Sequence, residues 1–235
     1  MLATIVCFLG CFVICISGTF PNNDSIPLDI ERYEDLKPLL DNATHVATTF
    51  MKNPNIFKRM GGIFSVEEQV KYYFRLAALP GVDTICDIGF NAGHSAITFL
   101  HSNPKATVIS FDIAKLPWTL NSVTHVSRLY GDRFIFIAGD SQKSMESIAL
   151  NSSIIYGKRC DLVSVDGNHG RAWEDITAAY KISRNGSYVI VDDYAFHMLK
   201  ILDAWKHAQK RQMILEIDCH KDYEKERGWC LGQWI

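Results

Sequence analysis

Five short, nearly all-apolar runs recur along the middle of the chain, each followed by a polar turn and then by a segment of helical pattern. The runs are 84–88, 107–112, 134–138, 162–165 and 188–191. A strand with one wet face alternates apolar and polar side chains, whereas a strand covered on both faces does not. Helical segments near 94–101, 120–129, 142–150, 172–182 and 196–210 supply the cover. That alternation predicts a doubly wound, parallel α/β sheet. The tail departs from it: 213–219 and 229–235 read as two strands joined by a charged loop, an antiparallel C-terminal hairpin on an otherwise parallel sheet. The expected total is seven strands.

Upstream, 28–59 reads as helical pieces broken at Pro38 and Pro54, and 60–64, with Gly61-Gly62, as a loop with backbone freedom. Ser65 and Glu68 have the spacing of a capping box, Ser65 at the N-cap, opening a helix that Pro80-Gly81 closes. The organisation expected is a leader over 1–18, a linker and helical cap or lid over 19–64, and the α/β domain over 65–235. Residues 57–64 suit either a lid or core contacts of an N-terminal helix.

The leader is almost wholly apolar but short for a membrane span, with Ser17 and Gly18 suited to cleavage. It has no basic residue, the first positive side chain of the sequence being Arg32, so an uncleaved anchor stays open beside a signal peptide. Sequons at Asn23, Asn42, Asn151 and Asn185 add modest weight to the secretory pathway and a glycoprotein. Membrane contact is expected only through an uncleaved leader. The net charge of −2 gives no general pull toward nucleic acid. Beyond the leader lie four cysteines, in no zinc spacing. A cross-strand disulfide between Cys219 and Cys230 suits an oxidising compartment. Cys86 and Cys160 are expected as buried free thiols.

In an open α/β sheet, ligands bind beyond the carboxyl ends of the strands. The first such end reads Asp87-Ile88-Gly89-Phe90-Asn91-Ala92-Gly93-His94-Ser95. Gly89 and Gly93 lack the Cβ atoms that would hold a ligand off the backbone. The helix opening near His94 aims its N–H groups at the same place. His94 itself reads as structural or as a cofactor contact. The second strand ends at Asp112, placed to accept ribose hydroxyls; the third gives Asp140-Ser141-Gln142, the fourth Asp166-Gly167-Asn168-His169, the fifth Asp192-Asp193-Tyr194. The glycine spacing leaves no G-x-G-x-x-G, which disfavours a dinucleotide. It suits a cofactor with an amino-acid part and one nucleoside, a description that S-adenosylmethionine meets.

Taken in order, D-x-G-x-x-x-G-x-S, a strand-end Asp, GDSQ, VDGNH and VDDY resemble the class I S-adenosylmethionine-dependent methyltransferases. The resemblance covers roughly 60–235. It is nearest to the branch of catechol O-methyltransferase and the macrolide-sugar and novobiocin-type O-methyltransferases. It implies a Rossmann-like fold with a helical N-terminal cap, and methyl transfer to a hydroxyl on a small molecule or sugar. It also implies that Gly89, Asn91 and Ser95, with Asp87 and Gly93, form the methionine end, that Asp112 holds the ribose, and that Asp140, Ser141 and Gln142 edge the adenine. Asp166, Asp192 and Asp193 would bind a divalent metal, Mg²⁺ or similar. Bare carboxylates at neighbouring strand ends repel, and a hard cation would relieve that; the same aspartates also suit turn caps. The catechol enzyme has Asn where this chain has Asp193, and a lysine base at the offset of His169. His169 could accept the acceptor's proton or simply pack on the loop. A hydroxylase-type enzyme on this scaffold, a non-catalytic binding protein and a nicotinamide dehydrogenase are the rival readings.

Overall fold

The computed structural model describes residues 27–49, 51, 63–151, 155, 157–194, 198–222 and 227–235. The leader, Pro54, residues 57–62 of the expected lid and the start of the segment predicted over 196–210 lie outside these.

Among the described residues, seven strands form one sheet in the order β3-β2-β1-β4-β5-β7-β6. They are β1 (Thr84–Ile88), β2 (Thr107–Asp112), β3 (Phe134–Ala138), β4 (Cys160–Val165), β5 (Ser183–Val191), β6 (Ile214–Asp222) and β7 (Arg227–Trp234). β1 to β5 pair in parallel, and β7 runs antiparallel to both β5 and β6. The antiparallel hairpin is therefore present, with β7 inserted between β5 and β6. Every residue of β1 and β4 is buried, as their unbroken apolar runs require.

The helices are α1 (Ile30–Glu34), α2 (Leu36–Thr48), α3 (Glu67–Ala77), α4 (His94–Ser102), α5 (Thr119–Tyr130), α6 (Ser141–Leu150), α7 (Ala172–Ile182) and α8 (Leu199–Lys210). They divide between the two sheet faces. Ile85, Leu162 and Ile190 point into one core with Leu36, Leu40, Phe74, Phe99 and Val126 of α2 to α5. Their strand neighbours Cys86, Ile88, Val163 and Val189 point into the other, with Met145, Ile176 and Trp205 of α6 to α8. The period of two along each strand is what gives one sheet two cores.

Three local expectations are corrected. Pro38 does not break a helix: it is the third residue of α2, in the first turn, where its missing N–H has no intrahelical partner to lose. The break falls at Asp35, the residue between α1 and α2. Ser65 closes a 3-10 turn (Ile63–Ser65), and Val66, in extended conformation, is the N-cap of α3. Cys86 and Cys160 are not free thiols: they form a disulfide with Cα atoms 5.7 Å apart, buried in the second core. Sequence separation hid this pair, because the β1–β4 neighbourhood is a crossover product. The hairpin disulfide Cys219–Cys230 joins residues directly opposed in the β6–β7 register.

The segment ahead of α3 shares the core of the sheet. Leu36, Leu40 and Ala43 of α2 belong to the same cluster as Ile85. Thr44 Oγ1 lies 2.9 Å from His94 Nε2, and Phe64 stacks on the His94 ring at 4.2 Å. Ile63 and Phe64 therefore make core contacts at the start of α4. No helix among the described residues is long and apolar enough to cross a membrane.

Candidate active site

A cavity of about 400 Å³ opens over the carboxyl ends of β1 to β4. Gly89, Asn91, Asp112, Asp140, Ser141, Gln142, Asp166, His169 and Asp193 line it. Asp87, Gly93 and Ser95 are not among its described lining residues; they stand behind the loop and brace it.

The brace begins at Asp87, fully buried in mid-sheet. The β1–β2 register sets it opposite Ser110, whose hydroxyl donates to Oδ2 at 2.9 Å. Burial pushes the Asp87 carboxyl up to about 7, with the hydroxyls of Ser110 and Ser95 pulling the other way. Oδ1 is buried without a partner. Gly89 has φ +97, and a Cβ there would overlap the carbonyl oxygen of Asp166; a Cβ at Gly93, φ +86, would stand 2.8 Å from the Phe90 ring. The glycines are thus demanded by the protein's own close packing, a reason beyond the ligand approach that spacing suggested.

Asn91, at φ +51, turns the loop toward β2. Its N–H donates to Asp112 Oδ2 at 3.0 Å, and its Oδ1 accepts from Trp118 Nε1 at 2.8 Å. Asp112 also takes the Ala114 N–H at 2.7 Å. Each oxygen keeps a further lone pair, enough for two hydroxyls.

Asp140 is the N-cap of α6, accepting from the Gln142 and Lys143 N–H groups. Arg171 closes on its Oδ2 at 2.8 Å and, with the cap bonds, holds the Asp140 carboxyl below its ordinary range. Ser141 Oγ and Gln142 Nε2 both donate to Asp175 Oδ1, at 2.7 and 2.9 Å. Gln142 Oε1 is left buried without a partner at the cavity wall. Sequence reasoning missed Asp175, Arg171 and Arg227. Asp175 and Arg171 reach the cavity from α7 and the turn before it, and no motif spacing marks them.

Among the described residues, the structure gathers Asp166, His169 and Asp193 with ligand atoms within 4.8 Å of one another. Asp192 stands apart from that group. It is 2% exposed, and its Oδ1 accepts from Gln69 Nε2 at 2.7 Å and from the Asp193 N–H at 2.6 Å. Burial, then the neighbouring Asp193 charge, pushes Asp192 up to about 6. Burial and the Asp192 charge push Asp166 well up. Burial acts against the ionised form of Asp193 too, but His169 and Arg227 more than offset it and hold that carboxyl low. His169 Nε2 lies 2.8 Å from Asp193 Oδ2, and Arg227 Nη1 lies 2.6 Å from Oδ1. That contact raises the His169 pKa.

The two expected groups fare differently here. A nucleoside with an amino-acid part fits the donor set: Oε1 of Gln142, the residue expected to edge the adenine, is an unpaired acceptor, and the Asp112 carboxylate, expected to hold the ribose, lines the same cavity. A divalent cation has oxygen donors of the right type in Asp166 and Asp193. Both Asp193 oxygens, however, are engaged, one by Arg227 and one by His169, and Asp192 is turned onto Gln69. The trio Asp166, Asp192 and Asp193 does not form a chelate in this arrangement.

Residues 86–194 match the family model described as Methyltransferase domain. That stretch runs from within β1 to just past β5, and the sheet order 3-2-1-4-5-7-6 is that of the Rossmann-like methyltransferase fold expected. No curated protein matches the sequence. Solved structures resemble the fold at low identity. Cofactor-bound Rv0187 from MTB is 16% identical with TM-score 0.68, over 88% of this chain and 97% of that one. TomG, an O-methyltransferase of Streptomyces achromogenes involved in tomaymycin synthesis and solved with SAM, is 17% identical with TM-score 0.66, over 83% and 89%. An O-methyltransferase from Bacillus cereus in complex with SAH is 16% identical with TM-score 0.63, over 89% and 93%.

Proposed function

We propose that the protein transfers a methyl group from S-adenosylmethionine to a hydroxyl oxygen of a small-molecule acceptor. The observation that carries this is the position of His169. Its ring lines the cofactor cavity and also a second cavity of about 300 Å³ beside it, walled by Trp173, Lys200, Asp203 and His207. The structural neighbours titled O-methyltransferases support oxygen as the acceptor atom.

S-adenosylmethionine, when bound, supplies a methyl group on a positively charged sulfur. The loop of Gly89 and Asn91 holds its amino-acid end, Asp112 its ribose, and Ser141 and Gln142 its adenine. The protein's part in an in-line displacement is chiefly orientation. The carboxylate of Asp193 can only accept, so His169 carries its proton on Nε2, and Nδ1 is the nitrogen that takes the acceptor's proton. No step is assigned to a divalent cation, because both Asp193 oxygens already accept from Arg227 and His169.

The test uses purified protein, labelled methyl donor and a panel of hydroxyl acceptors. His169→Ala is expected to lower kcat by roughly 10²–10⁴-fold, the usual weight of a general base, with donor affinity unchanged. Donor binding with no methyl transfer to any acceptor would favour the non-catalytic reading, and oxygen insertion the hydroxylase one.

We also propose that the protein works in the secretory pathway. The two disulfides and the exposed sequons Asn42, Asn151 and Asn185 support this. Enzymatic deglycosylation of protein expressed in a eukaryotic cell is expected to lower its apparent mass; an unchanged mass with reduced thiols would reject it.

A further inference from the structure

Three carboxylates crowd the ends of β4 and β5, where a positive charge relieves the repulsion among their ionised forms. The chain itself provides that charge. Arg227 opens β7, and its side chain is 17% exposed against 14% for Asp193. Its guanidinium donates to Asp193 at 2.6 Å, and its charge also acts on Asp192 and Asp166.

The backbone fixes this placement. The Tyr194 N–H donates to the Gly228 carbonyl at 2.8 Å, tying the turn after β5 to the residue beside Arg227. Gly228 lies so close that a Cβ would overlap the Tyr194 carbonyl oxygen and stand 2.8 Å from that of His220. On the hairpin side, Asp222 is paired with Arg227, and Cys219–Cys230 locks the register. Among the described residues, β7 contributes only Arg227 to the cavity.

We infer that Arg227 takes the place of a divalent cation, so that this centre works without metal. The inference rests on the methyl-transfer reading for its consequence but not for its geometry. An incoming ion would find only the lone pairs of Asp193 that Arg227 and His169 leave, and would sit beside a guanidinium, which keeps its charge at any working pH. A chemical consequence follows for the acceptor. With no metal to lower the pKa of the hydroxyl, the imidazole must take its proton unaided. A phenol, of pKa about 10, is within reach of an imidazole. An aliphatic hydroxyl, nearly as weak an acid as water, is not. The acceptor class is therefore a phenolic hydroxyl, not a sugar alcohol.

Two measurements test this, and only the second needs turnover. Mn²⁺ titration of the wild-type protein, followed by electron paramagnetic resonance, is expected to show no stoichiometric site up to about 1 mM, weaker than cytosolic sensor sites by decades. Arg227→Gln keeps a donor and removes the charge; it is expected to gain a site at least about tenfold tighter, lost again in Arg227→Gln/Asp166→Asn. A wild-type site of micromolar affinity would overturn the inference, and that measurement needs no variant to fold. Methyl transfer to phenols is expected to survive exhaustive chelation and to be absent with alkyl alcohols. Loss of transfer on chelation, or transfer to alcohols, would overturn it as well. Absence of transfer to every acceptor, with the Mn²⁺ results as expected, would strike the methyl-transfer reading alone.

Discussion

His94 shows how one side chain links the leading helices to the loop after β1. It is 6% exposed, with Thr44 of α2 on its ring nitrogen and Phe64 on its ring face. Burial depresses its pKa to about 4. The unfolded chain binds that proton near the ordinary value of 6.5, so below that pH it holds more protons than the native state. Stability from the neutral ring is therefore full above about pH 6.5 and lost as pH falls toward 4. His94→Gln, which cannot titrate, is expected to lose less Tm than the wild type between about pH 7 and pH 5. Equal losses in thermal melts at the two pH values would show that His94 carries no such linkage. At the same scale the sequence was readable only in part. Residue type and order picked out Asn91, Asp112, Asp140, Ser141 and Gln142, all at the cavity wall. They said nothing of Asp175 or Arg227, because those come from a helix face and from a strand that pairs out of chain order.

At the scale of elements, the two disulfides tie different things. Cys86–Cys160 spans 74 residues and joins β1 to the start of β4. Cys219–Cys230 spans 11 and closes the β6–β7 hairpin. If chain entropy dominates, the longer loop gives the larger stabilisation, about 4 kcal/mol against about 3 kcal/mol. Paired Cys→Ala variants should rank in that order in denaturant titrations. Activity should rank the other way, because the hairpin carries Arg227. The reverse ranking of activity would separate the hairpin from the site. Strand and helix positions were legible within a few residues, because burial on two faces writes itself as unbroken apolar runs. Two local signals misled. Pro38 is harmless in a first turn, and the Ser65/Glu68 spacing lies one residue ahead of a helix whose N-cap is Val66.

For the whole molecule, α2, the Asn91 loop and the sheet share one core, so ligand binding at the strand ends should stabilise the entire described fold. S-adenosylmethionine at about 100 times its Kd should add about 2.7 kcal/mol and raise Tm by several degrees. NAD at the same concentration should leave it unchanged. A shift with NAD and none with S-adenosylmethionine would return the loop to the dinucleotide class that its glycine spacing disfavoured.

The sequence by itself determined the architecture and which strand-end residues line the cavity. Apolar runs ending in Asp87, Asp112, Asp140, Asp166 and Asp192 define strands, and strand ends in a parallel sheet meet along one edge. What it could not contain was which charges meet which. The partner of Cys86 lies 74 residues away, and that of Asp193 lies 34 residues on in a strand that turns back beside β5. Distance along the chain carries no record of such encounters. Only the folded register of β7 against β5 brings a guanidinium to the carboxylates at the ends of β4 and β5.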